Sequence, residues 1–175
     1  MVTSSTTTPA AIIVMGVAGC GKSTVGEALA DRLGWRFIEG DALHPPENVA
    51  RMAAGHPLTD ENREGWLDAI GQAITDALGE GDRVVATCSA LKRKYRDRLR
   101  GWSDAILFVH VVIDKETARV RVGSRKGHFM PSSLVDSQFA TLETPAADEG
   151  AVTVDGTSPL AQILSQVEAA LEQPT

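Results

Sequence analysis

A run of five apolar residues, "AIIVM" (11–15), stops at a glycine and opens into "GVAGCGKS" (16–23). The octet fits G-x-x-x-x-G-K-[ST] at every position, and it stands in the context that motif requires, after a strand and before a helix. No other stretch constrains the fold as much. The strand must deliver the loop to one rim of a sheet. The glycines let backbone N–H groups converge on an anion, and the next helix adds its positive end. The anion is expected to be the phosphate chain of a nucleoside triphosphate. Gly16, Val17, Ala18, Gly19, Cys20, Gly21, Lys22, Ser23 and Thr24 form the expected cradle, with the Cys20 side chain at a non-contacting position. Lys22 is expected to reach the β- and γ-phosphates, and Ser23 to ligate Mg2+.

The same alternation continues along the chain. "FIEG" (37–40), "VVATCS" (84–89), "AILFVHVVI" (105–113) and "AVTVDG" (151–156) read as strands. Between them Val25, Leu29 and Leu33 share one helical face, and so do Trp66, Ile70, Ile74 and Leu78. A last helix carries Leu160, Ile163, Leu164, Val167 and Leu171, with Ser158 expected as its N-cap and Pro159 in its first turn. Strands buried on both faces and separated by helices predict an α/β fold, a parallel sheet flanked by helices on both sides. Ligands of such sheets bind at the carboxyl ends of the strands, which puts Gly16, Asp41, Ser89 and Asp114 on one rim. Residues 1–10 read as a disordered polar tail and 11–175 as one domain, with "RKGHFMPSS" (125–133) its most mobile segment.

Composition narrows the partners. Over 175 residues the formal net charge is -6, so a nucleic-acid surface is not expected. No stretch approaches the roughly 18 apolar residues of a membrane span. Cys20 and Cys88 lack metal-ligand spacing and read as free thiols of a reduced, cytoplasmic protein.

The loop does not say where the phosphate goes. No Asn-Lys-x-Asp is present to read guanine, and "DALG" (76–79) lies inside an amphipathic helix. Asp114 ends a strand as a metal-binding aspartate would, and it also precedes a helix that it can cap. The stretch "GDALHPPENVARMAAGHPLTDENREGWL" (40–67) is the expected acceptor segment. Asp41 follows the second strand and is the candidate to orient the attacking hydroxyl and take its proton. Arg51 and Arg63 are candidates for an anionic substrate group, and His44 for a hydroxyl.

That segment resembles the acceptor segment of the gluconokinases. "CSALKRKYRDRLR" (88–100) and "RKGHFMPSSLVDSQFATLETP" (125–145) resemble two further blocks of the family, and "VTVDGTSPL" its closing strand and turn. Coverage is nearly the whole chain. The resemblance implies the three-layer P-loop NTPase fold of the nucleoside monophosphate kinase type, with about five parallel strands and a lid near 121–139. It implies ATP and Mg2+ as cofactors, D-gluconate as substrate, 6-phospho-D-gluconate as product, and a homodimer. Ser89, Lys92 and His128 join Asp41, His44, Arg51 and Arg63 as implied substrate contacts, although Lys92 also reads as the start of a basic helix. Arg121 and Arg125, four apart on one helical face, are implied to close onto the ATP phosphates and act with Lys22 and Asp41 in catalysis, whereas Arg119 lies off that face. The turn after "VTVD" is implied to hold adenine. Glu39, Arg51, Asn62 and the Glu64-Gly65 pair depart from the family pattern and bear on fine specificity; Asp41, His44 and Arg63 match it. A shikimate-type kinase and an ATP-binding module without turnover are the alternatives.

Overall fold

The computed structural model describes residues 8–124 and 131–173. Five strands form one parallel sheet: β1 (Ala11–Met15), β2 (Arg36–Ile38), β3 (Val84–Thr87), β4 (Ile106–Val112) and β5 (Val152–Asp155), in the order β2-β3-β1-β4-β5. All of β1 is buried, because it lies between β3 and β4, with Ile13 opposite Ala86 on one side and Phe108 on the other. A strand with neighbours on both edges and helices on both faces has no polar side to show, which is why "AIIVM" does not alternate.

Seven helices flank the sheet among the described residues: α1 (Lys22–Leu33), α2 (Pro46–Ala53), α3 (Asp60–Gly79), α4 (Arg93–Arg100), α5 (Lys115–Gly123), α6 (Ser132–Thr141) and α7 (Leu160–Glu172). The expected apolar faces are the packed ones. Val25, Leu29, Trp66, Ile70, Ile74, Ile163 and Val167 are buried, with Leu33, Leu78 and Leu171 packed at the edge of the same core. Helix α3 starts with a reciprocal capping box between Thr59 and Asn62.

Two boundaries differ from expectation. The second strand ends at Ile38, since Gly40 already begins a 3-10 turn, Gly40–Leu43. Gly40 lies so close to β3 that a Cβ there would sit 1.8 Å from the Thr87 carbonyl oxygen, so only glycine lets the chain turn at this point. Ser158 does not cap α7. Its N–H is bonded to the Asp155 carbonyl, which commits it to the preceding turn, and Pro159 takes the cap position. Of the expected tail, residues 1–7 lie outside the described residues; Ala10 and Ala11 donate to the Ala105 carbonyl.

Candidate active site

The loop 16–21 joins β1 to α1 at the carboxyl rim. Gly16 has φ +147, and a Cβ on it would lie 2.7 Å from the Val111 carbonyl oxygen and 2.8 Å from Cys20 Sγ. The tight curl therefore requires glycine, and its N–H bonds the Ser89 carbonyl of the neighbouring strand end. Lys22 Nζ donates to the Gly16 and Val17 carbonyls at 3.1 and 3.2 Å. Ser23 Oγ donates to Glu39 Oε2 at 2.6 Å, and Thr87 Oγ1 donates to Glu39 Oε1 at 2.5 Å.

A cavity of about 540 Å3 opens beside the loop, and Lys22, Asp41, His44, Arg63 and Ser89 all line it. These are five of the residues picked out in the sequence, drawn from four separate segments. Arg63 is the most telling. It is 7% exposed, and its Nε and Nη1 are buried without a hydrogen-bond partner among the described residues. Its Cζ lies 5.2 Å from the centre of the Tyr95 ring. A buried cation lacking acceptors is costly, and a planar fork suits a carboxylate or phosphate that supplies two oxygens.

His44 stacks on Trp66, with ring centroids 4.0 Å apart and planes 16° from parallel. Burial, with Arg63 adding to it against the opposing pull of Asp41, lowers its pKa to about 4, so the imidazole is neutral near pH 7. Asn48 fixes it from the other side, its Nδ2 3.3 Å from His44 Nδ1 and 2.8 Å from the Asn62 carbonyl. Trp66 Nε1 donates to the Gly40 carbonyl at 2.8 Å, so one indole carries both the turn that bears Asp41 and the ring of His44.

Other expected residues lie elsewhere. Arg51 is exposed on α2, whose Val49, Met52 and Ala53 line the cavity; at 3.6 residues per turn Arg51 falls on the opposite face. Lys92 does not line the cavity either. Its ammonium is bonded to Asp60 at 3.0 Å, and Lys94 and the Tyr95 hydroxyl bond the same carboxylate. Arg121 lines a second cavity of about 350 Å3, together with Thr24, Gly156 and Ser158. It donates to the Gly19, Cys20 and Gly156 carbonyls, so it braces the back of the loop instead of reaching the Lys22 side. Arg119 pairs with Asp136 of α6 at 2.6 Å. Arg125 and His128 lie outside the described residues. Asp114 is a helix cap: its carboxylate accepts from Thr117 N–H at 2.7 Å and from Thr117 Oγ1 at 2.9 Å. Cys20 and Cys88 are free and buried, and burial pushes the Cys88 thiol up to about 12.

Sequence reasoning passed over Asn48, Trp66, Thr87 and Gln138. Asn48 was within reach, four residues after His44 in a helical pattern. Thr87 and Gln138 act through contacts with residues far away in sequence.

Fold and phosphate loop together define a phosphate-loop kinase, with an open pocket beside the loop that Arg63 lines. Over residues 18–168 the chain matches the shikimate kinase family. It is 50% identical over 148 residues to a gluconokinase of Gluconobacter oxydans, covering 85% of this chain and 83% of that protein. The solved structure of a gluconokinase from Sinorhizobium meliloti superposes with a TM-score of 0.83 at 48% identity, covering 94% of this chain and 92% of that one. A shikimate kinase from Aquifex aeolicus, at 16% identity and a TM-score of 0.63, shares the fold alone. The chain belongs to the gluconokinase family, within the wider shikimate kinase group.

Two imidazoles, His110 buried and His44 half-buried, set an acid limit on this structure. Burial lowers the pKa of His110 on β4, and neighbouring Arg96 lowers it further; His44 is lowered as described. Each is a base whose folded pKa lies below its unfolded value of 6.5, so the unfolded chain takes up protons first as pH falls. The stability His44 contributes is complete above about pH 6.5 and declines as pH falls toward 4, and His110 acts in the same direction. The expected result is a Tm that drops between those pH values with net proton uptake on unfolding. A Tm independent of pH across that window would show that neither imidazole is held neutral.

Proposed function

We propose that this chain transfers the γ-phosphoryl group of ATP to the terminal hydroxyl of D-gluconate, giving 6-phospho-D-gluconate and ADP. The observation that carries the reading is Arg63, which lines the pocket with Lys22 and Asp41 and whose buried Nε and Nη1 have no hydrogen-bond partner among the described residues. Gluconate offers a carboxylate for Arg63 at one end and a primary hydroxyl for Asp41 at the other. Neutral His44 donates to or accepts from a hydroxyl between them without competing for the carboxylate. Asp41 orients the terminal hydroxyl and takes its proton as the new P–O bond forms, while the bond to the ADP oxygen breaks. Lys22 leaves the Gly16 and Val17 carbonyls and follows the charge on the transferring group. Most of the acceleration then comes from positioning and fixed charge.

Mg2+ fits this site. Ser23 and Glu39 present a hard, all-oxygen donor set, and no cluster of three or more His, Cys, Asp or Glu able to cage a metal occurs among the described residues. A cation that keeps several waters and leans on the nucleotide suits such a sparse set. When bound, Mg2+ would be held by Ser23 and Glu39 and would supply positive charge against the phosphate oxygens during transfer. Arg121, with Gly156 and Ser158, is assigned to the wall of the nucleoside pocket; its bonds to loop carbonyls support that role over one on the γ-phosphate. We assign the working form to a cytoplasmic homodimer, on the family resemblance.

The test is coupled ADP release with gluconate, shikimate and a panel of other sugar acids. Turnover with gluconate and Mg2+ is expected; turnover with shikimate and none with gluconate would reverse the assignment. Arg63→Lys keeps the charge but loses the fork, and should raise the KM for gluconate about tenfold to a hundredfold, on the scale of a charge-assisted hydrogen bond. The KM for ATP should stay within about twofold, and Arg51→Ala should leave both unchanged. An Arg51→Ala effect as large as that of Arg63→Lys would mean the carboxylate is bound elsewhere.

A further inference from the structure

Helix α6 meets the phosphate loop through a hydrogen bond that no step above uses. The Ala18 N–H donates to Gln138 Oε1 at 2.6 Å across 120 residues of sequence. A backbone N–H can only donate, so the oxygen of this carboxamide faces Ala18 and its NH2 group is turned away from it. Gln138 is half-buried and lines the cavity shared by Lys22, Asp41 and Arg63. Leu134 and Ser137 line it too, and with Gln138 they form one helical face at spacings of three and four. Among the described residues, Gln138 Nε2 has no hydrogen-bond acceptor. Arg63 suits a carboxylate, Lys22 and Asp41 serve the transfer, and His44 meets one hydroxyl. A chain with several hydroxyls between the two ends still needs further neutral donors, and Gln138 stands on the wall with Ser89 and Ser137 to supply them.

We infer that Gln138 is an acceptor-binding residue: the Ala18 N–H holds its Oε1, and its Nε2 donates to a hydroxyl oxygen of the bound sugar acid. The inference rests on the reading of the chain as a sugar-acid kinase. One amide then ties the acceptor directly to the loop that carries the phosphates, so helix α6 sets the distance between the reacting groups. A loop–acceptor link of this kind also favours acceptors with a hydroxyl at the right place along the chain, which a simple apolar cover does not do.

Gln138→Glu and Gln138→Met separate the two ends of the amide. Glutamate keeps an oxygen for Ala18 and loses the NH2 donor; methionine keeps the length and loses both. Steady-state kinetics for gluconate and for ATP are compared with wild type, and Tm is measured for each variant. Both variants are expected to raise the KM for gluconate about tenfold, the value of one hydrogen bond in a desolvated site, with the KM for ATP within about twofold. A wild-type KM for gluconate in Gln138→Glu overturns the inference, because the donor is then idle. So does an increase confined to ATP, which would make the contact a brace for the loop. Wild type without turnover on gluconate overturns the functional reading and the inference together; wild type active with both variants unchanged overturns the inference alone.

Discussion

Asp41→Asn and Lys22→Ala should each lower kcat by about 10^3-fold or more, while the chain stays folded. Asp41 stands in the Gly40–Leu43 turn, which the close approach of Gly40 to Thr87 and the indole of Trp66 hold in place. Asparagine fits the same turn but cannot take the proton of the attacking hydroxyl. Removing the Asp41 charge also removes the pull that raises the His44 pKa, so His44 stays neutral and no new charge enters the pocket. ATP binding should survive Asp41→Asn, because the phosphate loop is untouched. Lys22→Ala instead removes the ammonium that follows charge on the transferring group, and alanine is a good helix former at the start of α1. Rapid-quench turnover together with equilibrium ATP binding separates the two effects. An Asp41→Asn enzyme within tenfold of wild type would reduce Asp41 to a turn residue and leave the base unassigned.

The parts of this molecule legible in the sequence are those set by local rules. The phosphate loop is contiguous, and its glycines are needed where the curl is tightest. The β-strands announce themselves because a parallel sheet buries both faces, and the helices because their apolar residues recur at three and four. Asp41, His44 and Arg63 were also legible, since a rim position and a clustered charge follow from chain order. What failed was the step from charge to direction. Arg51 and Arg63 look equivalent in "ENVARMAAGHPLTDENREGW", yet one is exposed on α2 and the other is 7% exposed on α3. The period of α2 alone would have separated them: Val49, Met52 and Ala53 mark its cavity face.

Long-range partners were out of reach. Lys92 is tied to Asp60, 32 residues away, and Arg121 to Gly156, 35 away. Nothing near either residue in the sequence announces these ties. Glu39 looked like a departure from a family pattern, but its two carboxylate oxygens are both used, by Ser23 and Thr87. Asn62 also departs from that pattern, and its side chain closes the capping box of α3. In both cases the neighbours decide what the side chain does, and those neighbours come from other segments.

The largest expected effect on stability falls at Arg96, which lies outside the pocket yet shapes it. Its side chain is 0% exposed, and its partner Glu149 is 1% exposed. Nε and Nη2 bond Glu149 at 2.7 and 3.0 Å, Nη1 bonds the Ala90 and Leu91 carbonyls at 2.8 and 3.3 Å, and Arg100 adds a bond to the same carboxylate at 2.9 Å. Ala90 has φ 45, a left-handed conformation that an alanine adopts only under constraint, and the next residue back is Ser89 on the cavity wall. Arg96 thus clamps the turn that presents Ser89. Arg96→Met takes two of the guanidinium bonds from the buried Glu149 carboxylate, leaving it Arg100 and the Ala146 N–H, and strands two carbonyls; it should cost about 3–5 kcal/mol in urea unfolding. Glu149→Gln leaves the guanidinium short of a counter-charge and should cost a similar amount. Replacing both, Arg96→Met with Glu149→Leu, should cost less than the sum of the singles, because neither partner is then left buried and charged. The pair also has an acid signature. Its bonds to Arg96 hold Glu149 down at about 2, below its ordinary 4.5, so its contribution is complete above about pH 4.5 and is lost as pH falls toward 2. Single variants that lose under about 1 kcal/mol, with an additive double variant, would show that the pair is a bystander and that other contacts hold the Ala90 turn.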